Sequence, residues 1–261
     1  MSTIITDQGV VHYEVFGRGR PVILLHGWLE SWGLWRKTMQ HLGTDYRTYA
    51  LDFWGFGESG KKRESYKVTD FVSLVDQFME NLGIEQAPII GHSMGGTVSM
   101  AVAIKYPHRV KKVGVIGSPV NGNSLSFLLK LFGNDVIAKI VHYNMWALKI
   151  GNRIITPLIS KDRIWADMFG DSLSQTSLDS FLQSIKSLRY TDLRQDLPKI
   201  SVPLLGIYGK KDVLVSPNQR KLIETGAQFP QIEYLEGSGH LPMLDEPEKF
   251  LAIIKDFLDR Q

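Results

Sequence analysis

The feature that most restricts the fold of this chain is a rhythm: short apolar runs bounded by turn residues alternate with segments of helical spacing. Val22-Ile23-Leu24-Leu25 is a continuous apolar run ending at His26-Gly27, which suits a strand buried on both faces. Arg47 to Leu51, Pro88 to Ile90, Val113 to Ile116, Leu204 to Tyr208 and Ile232 to Leu235 also read as strands. Val10 to Phe16 adds one near the N-terminus, paired with Ile4–Thr6 across a turn at Asp7-Gln8-Gly9. Between the strands, Phe71, Leu74, Val75, Phe78 and Met79 keep the spacing of a helix from about Thr69 to Leu82, capped by Thr69 or Asp70. Met94 to Tyr106 is a small-residue helix stopped by Pro107, and Pro247 to Leu258 closes the chain as a helix with proline in its first turn. This alternation predicts an α/β fold, with a mainly parallel sheet and helices on both faces.

One stretch breaks the rhythm. Between about Asn121 and Arg189 no β-like run occurs; Leu125–Phe132, Val136–Ile150 and Ser177–Leu188 instead read as helices rich in Leu, Phe, Met and Trp. An all-helical insertion between two strands of such a sheet belongs over the C-terminal strand ends, where ligands bind. The expected organisation is therefore a core of residues 1–120 and 190–261 with a helical cap at 121–189.

Composition removes several function classes. The chain has 261 residues, 43% of them hydrophobic and 22% charged, so a sizeable core is available and disorder is excluded. A net charge of +3 is too small for a dedicated nucleic-acid binder. The absence of cysteine rules out disulfides, thiolate-bound zinc and thiol nucleophiles. Met1 to Val10 lacks a cationic region followed by an apolar stretch, and no apolar run reaches the ~18 residues of a spanning helix, so a cytoplasmic location is expected. The histidines are scattered without His-Glu-x-x-His spacing, and neither a metal nor a cofactor is expected.

Gly91-His92-Ser93-Met94-Gly95-Gly96 matches Gly-x-Ser-x-Gly, the nucleophile elbow. The pattern alone is weak, but its context is informative, because it follows the run at Ile89-Ile90 and opens the helix at Met94. A serine nucleophile needs a base, and the base needs an orienting acid. Asp212 follows the strand Leu204–Tyr208, and His240 follows the strand Ile232–Leu235 within Gly237-Ser238-Gly239-His240. Ser93, Asp212 and His240 thus all fall at C-terminal strand ends, in the chain order this chemistry uses in an α/β sheet. A tetrahedral intermediate also needs two backbone donors, for which the N–H groups of Trp28 and Met94 are placed. His26 reads as a brace for the first of these loops.

With these motifs in hand, the sequence resembles the α/β-hydrolase superfamily, in its branch of small cap-bearing serine esterases and C–C bond hydrolases. The resemblance rests on HGW at 26–28, DFWGFGES at 52–59, GHSMGG at 91–96, YGKKD at 208–212 and GSGH at 237–240. It implies an eight-stranded sheet, a helical cap, and catalysis by Ser93, His240 and Asp212. Epoxide hydrolases and haloalkane dehalogenases carry aspartate where this chain has Ser93, which disfavours their chemistry. Some relatives place the acid after the preceding strand, where this chain reads Gly117-Ser118-Pro119 with no carboxylate.

The expected reaction is hydrolysis of an apolar short-to-medium acyl ester through an acyl-enzyme. C–C bond hydrolysis of a ring-cleavage product and a triad-bearing ligand receptor with little turnover stand as alternatives. Gly55-Phe56-Gly57-Glu58-Ser59-Gly60 fits the dinucleotide fingerprint, but no helix opens there to meet a pyrophosphate, so it reads as a tight loop. Within the insertion, Lys130, Lys139, Lys149, Arg153, Lys161 and Arg163 outweigh Asp135 and Asp162. They read first as a solvated basic face over an apolar one. The second reading is a docking patch for an acidic carrier protein or an anionic membrane surface, and similarity to pimeloyl-carrier-protein methyl esterases points to the carrier.

Overall fold

The computed structural model describes residues 2–61, 64–134 and 176–260, together with positions 136, 137, 139, 143, 144, 170 and 172. Its strands are β1 (Ser2–Thr6), β2 (Gly9–Phe16), β3 (Arg20–Leu25), β4 (Tyr46–Leu51), β5 (Ala87–His92), β6 (Val110–Ile116), β7 (Leu204–Gly209) and β8 (Pro230–Leu235). The described helices are α1 (Arg36–Leu42), α2 (Val68–Asn81), α3 (Met94–Lys105), α4 (Phe127–Phe132), α5 (Leu178–Tyr190), α6 (Gln219–Gly226), α7 (Pro242–Asp245) and α8 (Pro247–Asp259). The strands form one eight-stranded sheet in the order β1-β2-β4-β3-β5-β6-β7-β8. Only the β1–β2 and β2–β4 pairs are antiparallel, so the expected mainly parallel sheet is the one found.

Strand periodicity explains why both faces need helices. Along β3, Ile23 and Leu25 join a core with Phe71 and Val75 of α2 and Val98 and Val102 of α3. The alternate residues Val22 and Leu24 face the other way, onto Met39 and Leu42 of α1 and Phe250 and Ile254 of α8. A strand apolar at every position is stable only when both faces are covered.

The predicted turn at Asp7-Gln8-Gly9 joins β1 to β2, with Thr6 paired to Gly9. Of the two expected caps of α2, Asp70 serves, but from inside the helix. The helix opens at Val68 after Lys67, and the Asp70 carboxylate reaches back to accept the Lys67 N–H at 2.7 Å. An acidic residue three places into the first turn satisfies the exposed donor from inside, so Thr69 is not the cap. The Gly55–Gly60 segment folds as a loop closed by the Gly55 N–H to Gly60 carbonyl bond at 2.9 Å. Of the helix expected at 136–150 the described residues include only positions 136, 137, 139, 143 and 144, and Lys149, Arg153, Lys161 and Arg163 lie outside them. Among the described residues no helix is long and apolar enough to cross a membrane.

Strand order fixes where a site can form. β4 and β5 lie on opposite sides of β3, so the chain leaves neighbouring strands in opposite directions and opens a crevice at their carboxyl ends. Leu25, the last residue of β3, pairs with Gly91 near the end of β5. The Gly27-Trp28 loop and Ser93 are therefore delivered side by side.

Candidate active site

Ser93 stands between β5 and α3 with φ 49° and ψ −117°. It and Leu29, at φ 59°, are the two non-glycine residues with positive φ among the described residues. Such a conformation costs about 1–3 kcal/mol and persists only where its surroundings impose it. Here the Ser93 N–H donates to the Ile116 carbonyl at 2.8 Å, and its own carbonyl accepts from Gly96 and Thr97 at 3.1 and 3.2 Å. A Cβ at Gly91 would collide with the Gly95 carbonyl, and one at Gly95 with the Leu25 carbonyl. These glycines let the β5 backbone, the α3 backbone and the end of β3 meet, and the serine is pushed up at their junction.

Asp212 lies in the loop after β7. One carboxylate oxygen accepts the N–H groups of Leu214 and Val215 at 2.8 and 2.9 Å, and the other lies 2.8 Å from His240 Nδ1. A carboxylate accepts only, so Nδ1 donates, and in the neutral imidazole Nε2 keeps a free lone pair. The Asp212 side chain is fully buried and that of His240 nearly so. Burial, the largest single influence on His240, pushes its pKa down. The charge and hydrogen bond of Asp212, helped by Glu30 and Asp245, outweigh it, and the net shift is upward from the ordinary histidine value near 6.5.

The three candidate groups share one neighbourhood. A Cβ at Gly117 would lie 3.2 Å from His240 Nδ1 and 3.4 Å from Asp212 Oδ2, and Gly117 directly follows the Ile116 carbonyl that holds the Ser93 N–H. The His240 ring packs on that of His92, adjacent to Ser93, with centroids 4.7 Å apart.

The loop after β3 completes the surroundings. A Cβ at Gly27 would sit 3.1 Å from Ser93 Cβ, which puts the loop against the serine. His26 braces it as expected: Nδ1 donates to the Gly27 carbonyl at 2.7 Å, while Nε2 accepts the Phe53 N–H at 2.9 Å. Burial is the main cause that holds its pKa down, in keeping with a neutral ring. Met94 is the first residue of α3, so its N–H has no acceptor within the helix and lies at the positive end of the helix dipole. Trp28 is held from above, its indole N–H donating to the Phe181 carbonyl of α5 at 3.1 Å. Its ring packs against Phe181 and Phe132, with centroids 4.7 and 5.8 Å away.

Sequence reasoning passed over two buried clusters. Glu30 Oε2 accepts the Gly27 N–H at 2.7 Å and lies 2.9 Å from His92 Nδ1, while His92 Nε2 lies 2.9 Å from the His240 carbonyl. Asp52 receives the Trp32 and Glu58 N–H groups at 2.7 and 3.0 Å and pairs with His12 at 2.9 Å, so the 52–59 segment is a brace between loops. Among the described residues no group of three or more His, Asp or Glu side chains is arranged to hold a metal ion.

The sheet order and the strained serine are those of an α/β-hydrolase fold. The family model described as alpha/beta hydrolase fold matches residues 20–145. The chain is 27% identical over 258 residues to the pimeloyl-[acyl-carrier protein] methyl ester esterase of Vibrio campbellii, an alignment covering 95% of this chain and 98% of that one. Among solved structures, the esterase from Exiguobacterium antarcticum matches with a TM-score of 0.86 and 22% identity over 99% of both chains. The enol-lactonase from Burkholderia xenovorans matches with a TM-score of 0.87 and 20% identity over 99% of this chain and 100% of that one. At these identities the two structures speak for the fold.

Proposed function

We propose that this protein is a cytoplasmic serine hydrolase that cleaves a carboxylic ester through an acyl-enzyme. His240 Nε2 takes the proton of the Ser93 hydroxyl as Ser93 Oγ attacks the ester carbonyl. The N–H groups of Trp28 and Met94 hold the oxyanion, and Asp212 stabilises the imidazolium that forms. His240 then gives its proton to the leaving alkoxide, and a water activated by the same nitrogen releases the acid. The single observation that carries this reading is the buried Asp212–His240 bond at 2.8 Å, which leaves Nε2 free to act as a base. The strained φ of Ser93 and the esterase named among the relatives support it.

Residues 121–189 form the cap in this proposal. Its support is α5, which reaches Trp28 through the Phe181 carbonyl and the Gly55 carbonyl through the Ser180 hydroxyl at 3.0 Å. Trp28, Phe132 and Phe181 then make an aromatic wall suited to an apolar acyl group. A fluorophosphonate probe and a panel of p-nitrophenyl esters of graded chain length test the reading. The expected result is one adduct, on Ser93, with turnover highest for short-to-medium chains. An unlabelled serine without ester turnover would instead indicate a ligand receptor.

The named relative favours an acyl-carrier protein as the bearer of the ester. Phe127 and Leu128 of α4 are exposed, and so is Lys139, which gives an acidic carrier apolar and cationic groups on the cap itself. Lys139→Glu combined with Lys149→Glu is expected to lower kcat/KM on a carrier-linked ester by about tenfold, because long-range attraction acts on encounter. Turnover of the free ester should stay unchanged. An unchanged kcat/KM on the carrier-linked ester would remove the carrier.

A further inference from the structure

The acyl-transfer steps use Ser93, His240, Asp212 and two backbone donors, and leave the buried pair beneath them without a task. Glu30 is 8% exposed and His92 is fully buried. A buried carboxylate is strongly disfavoured unless it is paired and its lone pairs are used. Glu30 satisfies both conditions with one oxygen, which accepts the Gly27 N–H and faces His92 Nδ1. The other ring nitrogen of His92 faces the His240 carbonyl. A carbonyl only accepts, so Nε2 carries a proton, and Nδ1 and the carboxylate share another.

This pair joins three segments far apart in the chain. Gly27 follows β3 and immediately precedes Trp28, the proposed oxyanion donor. His92 ends β5 and immediately precedes the nucleophile. His240 follows β8 and is the proposed base. We infer that Glu30 and His92 are positioning residues, a bridge that holds the oxyanion loop and the main chain of the base in register with Ser93. The inference rests on the serine-hydrolase reading and names what keeps its parts aligned.

The geometry says why a bridge is needed. Asp212 fixes the His240 ring by Nδ1, and the Asp245 carboxylate receives the Gly239 N–H at 2.8 Å. Neither contact ties this loop to β5, where the serine is. The His92 Nε2 bond does so, and the packed rings of His92 and His240 keep the same spacing. A shift of about 1 Å between base and nucleophile can cost about 100-fold in rate. Such a shift acts on the chemical step and leaves substrate binding by the aromatic wall untouched.

The test compares wild type with Glu30→Gln, His92→Asn and His92→Gln. It uses a p-nitrophenyl ester for kcat and KM, a fluorophosphonate for labelling of Ser93, and the downfield N–H proton resonance of His240 for the state of the base. Asparagine keeps a donor towards Glu30 and loses the one towards the His240 carbonyl, whereas glutamine does the reverse. In Glu30→Gln and His92→Asn we expect kcat to fall about 10- to 100-fold with KM within twofold. Labelling should be slower but complete, and the downfield resonance displaced or broadened. His92→Gln should keep more kcat than His92→Asn, which decides the matter if Glu30→Gln does not fold. Wild-type kcat and resonance in the variants, or the reverse order of the two His92 variants, would overturn the bridge and leave the hydrolase reading standing. A wild-type protein that neither labels nor hydrolyses would sink that reading, and the bridge with it.

Discussion

Replacing Ser93 by alanine is expected to remove ester turnover while the fold survives. In the proposed mechanism the hydroxyl is the atom that forms the acyl bond, and loss of a nucleophile from a catalytic triad typically lowers kcat by about 10⁶-fold. Some acceleration over water should remain, because the proposed oxyanion donors, the N–H groups of Trp28 and Met94, are untouched. The fold should tolerate the change because the elbow is held by main-chain groups. The Ser93 N–H is bound to the Ile116 carbonyl, and its carbonyl to Gly96 and Thr97. Alanine presents the same Cβ as serine at φ 49°, so the strain is carried over without increase. A p-nitrophenyl ester assay checks the rate, and thermal unfolding followed by circular dichroism checks the fold. Ester turnover at the wild-type rate in a folded Ser93→Ala protein would show that another group is the nucleophile.

Much of this architecture is legible in the sequence alone, because it is written in local pattern. Val22 to Leu25 is apolar at every position, and a run of that kind is stable only between two helical layers. The elbow was legible because its glycines are required by backbone collisions at fixed spacing around Ser93. Asp212 and His240 stand out in the sequence because each lies in the loop that follows a strand, three residues after β7 and five after β8. What lies between segments was not. Glu30 reads in sequence as a polar residue of a surface loop, and nothing at a separation of 62 residues links it to His92. The only local hint is an acidic residue set among Trp28, Leu29 and Trp32. The hold of α5 on the Trp28 indole is hidden for the same reason, since its acceptor is a backbone carbonyl 153 residues away. The cap of α2 is legible in part: the sequence offers Thr69 or Asp70, and it is Asp70 that serves, working backwards from inside the helix rather than from in front of it.

Asp212→Asn is expected to lower kcat by about 10⁴-fold with little loss of stability, and the reason lies in which atoms can accept. In the wild type one carboxylate oxygen receives two backbone N–H groups, from Leu214 and Val215, and so must be an acceptor. An asparagine of the same shape has to place its carbonyl oxygen there, since turning its amide NH₂ towards two donors would oppose like with like. The NH₂ then faces His240 Nδ1. That nitrogen becomes the acceptor, the ring proton moves to Nε2, and the base presents a proton to Ser93 where it should present a lone pair. The buried hydrogen bonds are all kept, with one reversed in direction, so unfolding should be nearly unaffected. The pH profile gives an independent sign. Asp212 is the main group that lifts the His240 pKa against burial, so wild-type kcat/KM should rise with pH along a limb centred above the ordinary histidine value. With the charge gone, burial dominates, and in Asp212→Asn the limb should move to lower pH. Measurement of kcat/KM from about pH 5 to 9 for both proteins decides it. A limb unmoved by the substitution, or a variant within tenfold of the wild-type kcat, would take Asp212 out of the mechanism.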